Sequence, residues 1–168
     1  DGVNLEYEVF NKEDGEMYFN LGTHPAFMAS EFPVTDYYLE FSEPETLDLY
    51  TLVGLTVAKE TKPFLKNEKV IKITEDLFKD DALVFKGHKS EYLSLKNVNN
   101  SEEVKVSLKD FTWLGIWAPP GAPFVCLEPW CGVADMEDHN GDLTKKEAVN
   151  KLDKGGSFKR VMEIIVNK

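Results

Sequence analysis

His24 is a candidate for acid–base chemistry because of the residues around it. It lies in the segment Gly22-Thr23-His24-Pro25-Ala26-Phe27, directly after an alternating strand pattern. Pro25 has no backbone N–H and pushes the preceding residue towards an extended conformation, so the imidazole is predicted at a strand end before a stiff turn. A histidine held in this way between apolar residues can act as a general acid or base. The alternative is a half-buried turn histidine without a chemical role.

Glu128 is the carboxylate that ends an apolar run. Residues Phe124–Leu127 have the pattern of a strand buried on both faces, and Glu128 follows them, immediately before Pro129 and Trp130. Burial beside an indole disfavours the charged carboxylate, which makes it a better base near neutral pH. Trp130 offers a flat apolar face of the kind on which sugar rings stack. The alternative for Glu128 is a structural ion pair or a hydrogen bond to a backbone amide.

Other residues have weaker signals. Asp80 and Asp81 precede the strand-like sequence 82–85, where one carboxylate can hydrogen-bond a ligand hydroxyl or simply cap a turn. Two histidines in polar segments are predicted to be plain exposed residues, and two tryptophans are predicted to pack in the core: His88, His139, Trp113 and Trp117.

One near-match to a metal site fails at its first ligand. Asp138, Asn140, Gly141 and Glu147 fall at positions 3, 5, 6 and 12 of the calcium-binding EF-hand pattern, but position 1 is Met136, which cannot bind calcium. No phosphate-binding glycine loop, CxxC motif or histidine pair at metal-binding spacing is present in the sequence. We therefore predict no metal and no cofactor.

Composition limits the class of protein. The 168 residues predict one domain, 1–168, with a substantial core, since 42% of them are hydrophobic. The net charge is −11 and Arg160 is the one arginine, whereas nucleic-acid-binding surfaces are usually rich in arginine. No apolar run is long enough to span a bilayer, and Cys126 and Cys131 alone cannot build a disulfide framework or a zinc site. We expect a soluble, cytoplasmic protein without nucleic-acid or membrane partners; its oligomeric state is left open.

Alternation of apolar and polar residues dominates the chain and predicts many short strands. Residues 3–21 are interpreted as a hairpin whose turn is the polar segment Asn11–Gly15. Thr144–Leu152 has the pattern of a short helix, with Thr144 as its cap. The prediction is an all-β fold, an antiparallel β-sandwich or barrel with at most one or two short helices. The remaining predicted strands are Tyr37–Phe41, Leu47–Thr51, Val70–Thr74, Ala82–Lys86, Tyr92–Lys96, Val104–Lys109, Trp113–Trp117, Phe124–Glu128 and Phe158–Val166.

Three sequence blocks, in this order, resemble the aldose 1-epimerase (galactose mutarotase) family and in particular its LacX-like branch. The blocks are Asn20-Leu-Gly-Thr-His24-Pro25-Ala26-Phe27, Asp81-Ala-Leu-Val-Phe85 and Pro123-Phe-Val-Cys-Leu-Glu128-Pro129-Trp130-Cys-Gly132. The resemblance covers essentially the whole chain and implies a large antiparallel β-sandwich. Family members also contribute an arginine, and often a histidine, from an N-terminal stretch that has no counterpart before His24. The chain therefore resembles the C-terminal part of a family member, without the N-terminal strands and their sugar-orienting groups.

The resemblance implies an isomerase that interconverts the α and β anomers of a free aldohexose such as galactose or glucose. Glu128 would be the general base that takes the proton from the C1 hydroxyl, and His24 would be the general acid that protonates the ring oxygen, without a metal. Asp81 would hydrogen-bond sugar hydroxyls. Trp130 is our own candidate for stacking on the sugar ring.

Three other functions stay open at the level of the sequence. The first is a non-catalytic carbohydrate-binding or sugar-sensing protein on the same fold, which needs neither proton carrier. The second is a mutarotase for phosphorylated hexoses, which needs arginines around the phosphate. The third is a glycosidase, which needs two carboxylates beside the scissile bond, with Asp81 and Glu128 as the available pair.

Overall fold

The computed structural model describes residues 1–29 and 32–167 and shows a chain built almost entirely of β-strands. Each ladder between two strands is antiparallel, which confirms the predicted all-β antiparallel fold. The strands in the described residues are β1 (Gly2–Phe10), β2 (Met17–Phe19), β3 (Ala26–Met28), β4 (Tyr37–Val53), β5 (Thr56–Lys72), β6 (Leu83–Lys86), β7 (Tyr92–Asn97), β8 (Glu103–Ser107), β9 (Trp113–Trp117), β10 (Phe124–Trp130), β11 (Asn150–Leu152) and β12 (Ser157–Asn167). Two short 3₁₀ helices are formed by Val34–Asp36 and Leu143–Lys145.

Ten of these strands form one curled sheet. Its order is β1-β12-β8-β7-β4-β6-β9-β10-β3, and β5 pairs with β4 outside this path. Strands β2 and β11 form a separate two-stranded sheet. Within the described ranges, we find no helix of the length and apolar character needed to cross a membrane.

Strands β4 and β5 form a hairpin of two 17-residue strands. Gly54, with φ of 62°, lies in the tight connection, where a left-handed conformation favours glycine. The pairing of the two strands is interrupted by four register shifts, and β-bulges of this kind bend a strand. As a result, residues 37–41 of β4 pair with β7, while Tyr50 pairs with β6.

Glu45 fills the fork at which β4 changes partner from β7 to β6. Its side chain is fully buried, and Oε1 accepts hydrogen bonds from the backbone N–H groups of Lys89 at 2.9 Å and Ser90 at 2.7 Å. Both donors belong to the connection between β6 and β7. The Ser90 hydroxyl in turn accepts from the backbone N–H of Glu43 at 3.0 Å. The carboxylate thus satisfies the backbone of the connection where sheet pairing cannot.

The sheet buries apolar residues on both of its faces. The larger cluster contains buried side chains such as Phe41, Phe85 and Leu127, which alternate along their strands with residues of the other face. On that other face, Trp113 is 1% exposed and forms a smaller cluster with Val57, Val84 and Val133. The prediction of a core role is thereby confirmed for Trp113.

The predicted hairpin of residues 3–21 is wrong, although its alternation is real. Leu5 and Tyr7 are half-buried between exposed neighbours, but β1 pairs over nine positions with β12, and β2 pairs with β11. Asn11 explains the departure: it is buried, and its amide donates to the carbonyl oxygens of Gly15 at 2.7 Å and Leu152 at 3.0 Å. The polar segment therefore binds β11 through Leu152, and β1 and β2 pair with different partners instead of with each other.

The predicted helix at Thr144–Leu152 is also wrong. The cap is Asp142, whose Oδ1 accepts from the backbone N–H of Thr144 at 3.1 Å, and it opens only the 3₁₀ helix Leu143–Lys145. Ala148 has φ of 56°, outside the helical region, and the following residues form β11. Pairing with β2 outweighs a weak local preference for helix.

His88, like His139, is half-buried, so the prediction of plain exposed residues is wrong for both. Its Nδ1 lies 3.3 Å from the carbonyl oxygen of Ser90, and its Nε2 is buried without a partner among the described residues. Burial lowers the pKa of His88, and attraction to Glu45 opposes this effect only in part. The neutral ring is thus the form that suits the folded protein.

Replacing Glu45 tests how much its hydrogen bonds to the β6–β7 connection stabilise the fold. Glu45→Ala leaves the buried N–H of Ser90 and the partly buried N–H of Lys89 without an acceptor, so we expect a loss of about 2–5 kcal/mol in the free energy of unfolding. Urea denaturation followed by circular dichroism measures this loss. Glu43→Ala, which removes an exposed carboxylate two residues away, is the matched control and should change stability little. Equal midpoints for the two variants would contradict the anchoring role of Glu45.

Acidification tests the environment of His88. Because its folded pKa lies below the ordinary value, the unfolded chain binds the proton more readily, and stability is lost as pH falls through the unfolded value of about 6.5. His88→Gln removes this contribution, so the parent should lose more unfolding free energy than the variant between about pH 7.5 and pH 5. Urea midpoints of both proteins at the two pH values provide the comparison. An identical loss in both would show that His88 does not contribute.

Candidate functional site

The segment around His24 pairs with β10 in one continuous register. Met28 pairs with Phe124, and Gly22 forms a bridge with Trp130 at the other end of the segment. The same register places His24 directly opposite Glu128. Side chains opposite each other on neighbouring antiparallel strands point to the same face, so the pairing itself brings the imidazole to the carboxylate.

Backbone hydrogen bonds hold this register on both sides of Pro25. The N–H and the hydroxyl of Thr23 both donate to the carbonyl oxygen of Pro129, at 3.1 and 3.0 Å. On the other side, the N–H of Leu127 donates to the carbonyl oxygen of Pro25 at 3.2 Å. Pro25 itself has no N–H, so it adds an acceptor to the ladder without leaving a buried donor unpaired.

His24 and Glu128 are in contact but differ in exposure. His24 Nδ1 lies 3.3 Å from Glu128 Oε1, and the side chains are 63% and 6% exposed, respectively. The imidazole also makes an edge-on contact with Trp117, with 6.4 Å between the ring centroids. The arrangement is a buried carboxylate beneath an exposed imidazole, which can exchange a proton with a ligand that reaches it from solvent.

The pKa of Glu128 is raised. Burial is the largest cause, while attraction to His24 and the nearby Trp130 indole lower the pKa in part. This direction agrees with the sequence-based expectation for a carboxylate beside an indole. A structural contact of Glu128 was the alternative to a chemical role, and the contact with His24 means that the structural partner of Glu128 is also the candidate proton carrier.

Trp130 connects the His24 segment to the sheet. Its indole N–H donates to the carbonyl oxygen of Thr23 at 3.2 Å, and its ring is half-buried. The ring lies against Gly22 and over Gly115, where a Cβ would overlap the six-membered ring. Gly115 is the β9 residue that pairs with Glu128, so the absence of a side chain there leaves the space that the indole occupies.

Asp81 lies beside a hollow that it shares with the indole. It lines a small, mostly apolar hollow of about 210 Å³ together with Trp130, Val84 and Val133, whereas His24 and Glu128 are not among the lining residues. Asp81 has φ of 95°, and its Oδ1 accepts from the N–H of Ala82 at 2.7 Å. The structure thus brings His24, Glu128 and Trp130 together, and it connects Asp81 to them through Trp130.

Cys126 belongs to this cluster but was not predicted as a site residue. Its Sγ, a ring nitrogen of His24 and a carboxylate oxygen of Glu128 all lie within 4.8 Å of one another. Burial, with a smaller contribution from Glu128, raises the pKa of the Cys126 thiol to about 11. The two-residue spacing of Cys126 and Glu128 was the signal for this that the sequence offered, because residues two apart on a strand point to the same face.

A larger hollow of about 520 Å³ lies elsewhere and is not assigned to this chemistry. Its lining is mostly apolar, with Phe32, Ile73, Phe78 and the proline-rich segment 118–123, and it includes neither His24 nor Glu128. A hydroxyl-rich ligand needs more polar partners than this lining provides.

Gly115→Ala tests the packing of Trp130 beneath the site. The new methyl group overlaps the indole, so the ring must move away from Thr23, and we expect a loss of about 1–3 kcal/mol in the free energy of unfolding. Urea denaturation and the tryptophan emission spectrum measure the two effects. Gly15→Ala is the control, since a Cβ at position 15 meets nothing within 4 Å. Unchanged stability and emission in Gly115→Ala would contradict this packing.

Comparison with known proteins identifies relatives, although no family model matches the chain. The chain is 30% identical over 158 residues to the LacX protein of Lactococcus lactis subsp. lactis, in its plasmid and chromosomal forms. The alignment covers 89% of this chain and 53% of LacX. The chain thus spans about half the length of the curated relatives it matches.

Solved structures agree with these relatives. A galactose mutarotase related enzyme from Lactobacillus acidophilus superposes with a TM-score of 0.89 at 29% identity, covering 99% of this chain and 58% of that one. A galactose mutarotase-like protein from Lactobacillus casei has the same fold, with a TM-score of 0.88 at 21% identity over 98% of this chain and 58% of the other. These matches confirm the resemblance found in the sequence blocks: the chain is a relative of LacX and has the fold of galactose mutarotase-like proteins.

Proposed function

We propose that the protein is an aldose 1-epimerase that interconverts the α and β anomers of a free aldohexose. The observation that supports this best is the pairing of His24 opposite Glu128, with 3.3 Å between Nδ1 and Oε1. Anomer interconversion needs two proton carriers beside one carbon atom, since the C1 hydroxyl and the ring oxygen are both bonded to C1. A pair of groups held on adjacent strands has the short separation that this reaction needs.

In the proposed mechanism, the ionised Glu128 takes the proton from the C1 hydroxyl while the protonated His24 gives a proton to the ring oxygen. The electron pair of the C1 hydroxyl forms the carbonyl as the bond between C1 and the ring oxygen breaks. Rotation about the C1–C2 bond presents the other carbonyl face. Closure then reverses both proton transfers and leaves Glu128 and His24 in their starting forms, so the cycle needs no external reactant.

Burial and exposure favour this division of roles. Glu128 is 6% exposed at the side chain, and its raised pKa makes its ionised form a stronger base than an exposed carboxylate. The His24 ring is 63% exposed and is therefore free to turn aside when the sugar enters between the two groups. Attraction to His24 supports the ionised form of Glu128 with which the cycle begins.

Asp81 and Trp130 are proposed to bind the sugar. The Asp81 carboxylate is exposed at the edge of the hollow that it shares with Trp130, where it can accept hydrogen bonds from ring hydroxyls. Trp130 contributes apolar surface to the same hollow and also contacts the His24 segment at Thr23. Its contacts with Gly22 and Gly115 fix its orientation, which favours stacking in one geometry.

The surroundings of Arg160 favour a free sugar over a phosphorylated one. Its Nε donates to the carbonyl oxygen of Asp110 at 2.9 Å, and one terminal nitrogen donates to that of Lys159 at 2.7 Å. The guanidinium also lies 4.0 Å from the ring centroid of Phe158. The single arginine of the chain is therefore already engaged with backbone carbonyls and an aromatic ring.

Polarimetry of freshly dissolved α-glucose and α-galactose tests the proposal in the full-length protein. Glu128→Gln keeps the shape but cannot accept the proton, and His24→Asn removes the acid, so each should lower kcat by about 10²–10⁴-fold. KM should change little, because the sugar contacts remain. His139→Asn and Glu43→Gln are matched controls outside the site and should keep the parental rate.

The same assay separates the competing functions. A carbohydrate-binding protein on this fold would show no rate above the solvent background in the parent and no change in either variant. A mutarotase specific for phosphorylated hexoses would act on glucose 6-phosphate and leave both free sugars at the background rate. Full activity in Glu128→Gln would show that another residue is the base.

A further inference from the structure

We propose that His24, Cys126 and Glu128 form a binding site for Zn²⁺, and that the bound ion inhibits the protein. The three side chains supply one nitrogen, one sulfur and one oxygen donor, all within 4.8 Å of one another. Nitrogen, sulfur and carboxylate oxygen are the donors that Zn²⁺ prefers in proteins. The proposal of a binding site is based on the distances between these three side chains, and only the inhibition rests on the proposed function.

The distances suit a tetrahedral ion with little rearrangement. Zinc–ligand bonds of about 2.0–2.3 Å place ligand atoms roughly 3.5 Å apart in a tetrahedron. His24 Nδ1 and Glu128 Oε1 are 3.3 Å apart, already close to this value. The exposed imidazole is the mobile member, so its rotation can shorten the distance between its ring nitrogen and Cys126 Sγ, which is already within 4.8 Å.

Strand β10 presents two of the ligands on a rigid support. Cys126 and Glu128 are two residues apart, both are buried, and β10 is paired with β9 on one side and with β3 on the other. Cys126 pairs with Ala26 of β3 and with Trp117 of β9. Side chains held by two flanking strands lose little further freedom when an ion binds, which favours affinity.

The donor set and the exposure of the site indicate the kind of ion. A thiolate and an imidazole disfavour Mg²⁺ and Ca²⁺, which take six or more oxygen ligands. Three protein ligands leave the fourth tetrahedral position open, and the exposed His24 ring places the entry on the solvent side. Binding converts the Cys126 thiol to the thiolate and releases its proton to solvent.

The ion would block the chemistry because it uses the same lone pairs. Glu128 needs a free carboxylate oxygen to take the proton of the sugar, and His24 needs a free ring nitrogen to carry a proton. With both atoms bound to Zn²⁺, neither proton transfer can occur. Inhibition should therefore be competitive with the sugar and reversed by a chelator.

Isothermal titration of the full-length protein with zinc sulfate tests the site directly. We expect one equivalent to bind, and affinity to fall by more than about 100-fold in Cys126→Ala and in His24→Asn, since even residues that only support ligands cost 10–100-fold. Cys131→Ala is the matched control, because Cys131 is also buried but its Sγ contacts the carbonyl oxygen of Asp110 at 3.5 Å. This control should keep the parental affinity.

Cobalt supplies a second readout that reports the ligands themselves. Co²⁺ in place of Zn²⁺ should give a thiolate-to-metal absorption band in the parent and in Cys131→Ala, but not in Cys126→Ala. His24→Asn alters an exposed side chain, so it keeps the test decisive if Cys126→Ala fails to fold. Absence of binding to the parent, or equal affinity in parent and His24→Asn, would overturn the site.

Inhibition is measured separately by polarimetry with and without zinc sulfate. A parent that binds one Zn²⁺ but shows no anomerisation in the absence of metal retains the site and disproves the proposed function. A parent that anomerises sugars, binds one Zn²⁺ and keeps its rate at saturating zinc disproves the inhibition. Loss of rate that a chelator restores, together with the ligand dependence found by titration, supports both parts.

Discussion

The pairing of the His24 segment with β10 is the constraint on which the site depends. Without it, His24 and Glu128 are separated by more than a hundred residues of chain and share no local structure. With it, one antiparallel register fixes the imidazole, the carboxylate and the Cys126 thiol on a single face. The hydrogen bonds of Thr23 and Pro25 to β10 are therefore as important to the site as the side chains themselves.

The two faces of the sheet differ in composition: one carries the larger apolar cluster, and the other carries the candidate site. The larger apolar cluster covers one face and holds β9 and β10 through residues such as Leu114 and Leu127. The opposite face combines a smaller apolar cluster around Trp113 with the acid–base pair and the Trp130 indole. The buried Glu45 also supports the sheet that carries the site. It binds the β6–β7 connection where β4 changes its partner from β7 to β6, and this keeps the sheet continuous up to β9.

The fold was largely predictable from the sequence because strand periodicity is a local signal. The strands that end in the site, such as Trp113–Trp117 and β10, are where the alternation and the apolar run place them. Strand partners were not predictable, since the alternation in β1 is the same whether it pairs with β2 or with β12. The short strand β3 was missed because its three residues, all apolar, show no alternation, and most of β5 was missed because charged residues and a proline weaken its alternation. The same limit applies to the site: the motifs around His24 and Glu128 and the two-residue spacing of Cys126 and Glu128 are visible in the sequence, but the approach of His24 to both is a cross-strand distance.

The continuous register has a consequence for how sequences of this kind can diverge. A single inserted or deleted residue between Gly22 and Met28 would turn the imidazole to the opposite face and present a neighbouring residue to Glu128. Length variation is therefore excluded from this short segment, whereas the exposed turn of residues 98–101 between β7 and β8, which is separated from β10 by β4, β6 and β9, can change in length without reaching the acid–base pair. Among natural relatives that keep both His24 and Glu128, the spacing within the His24 segment should be more constant than the identity of most residues around it.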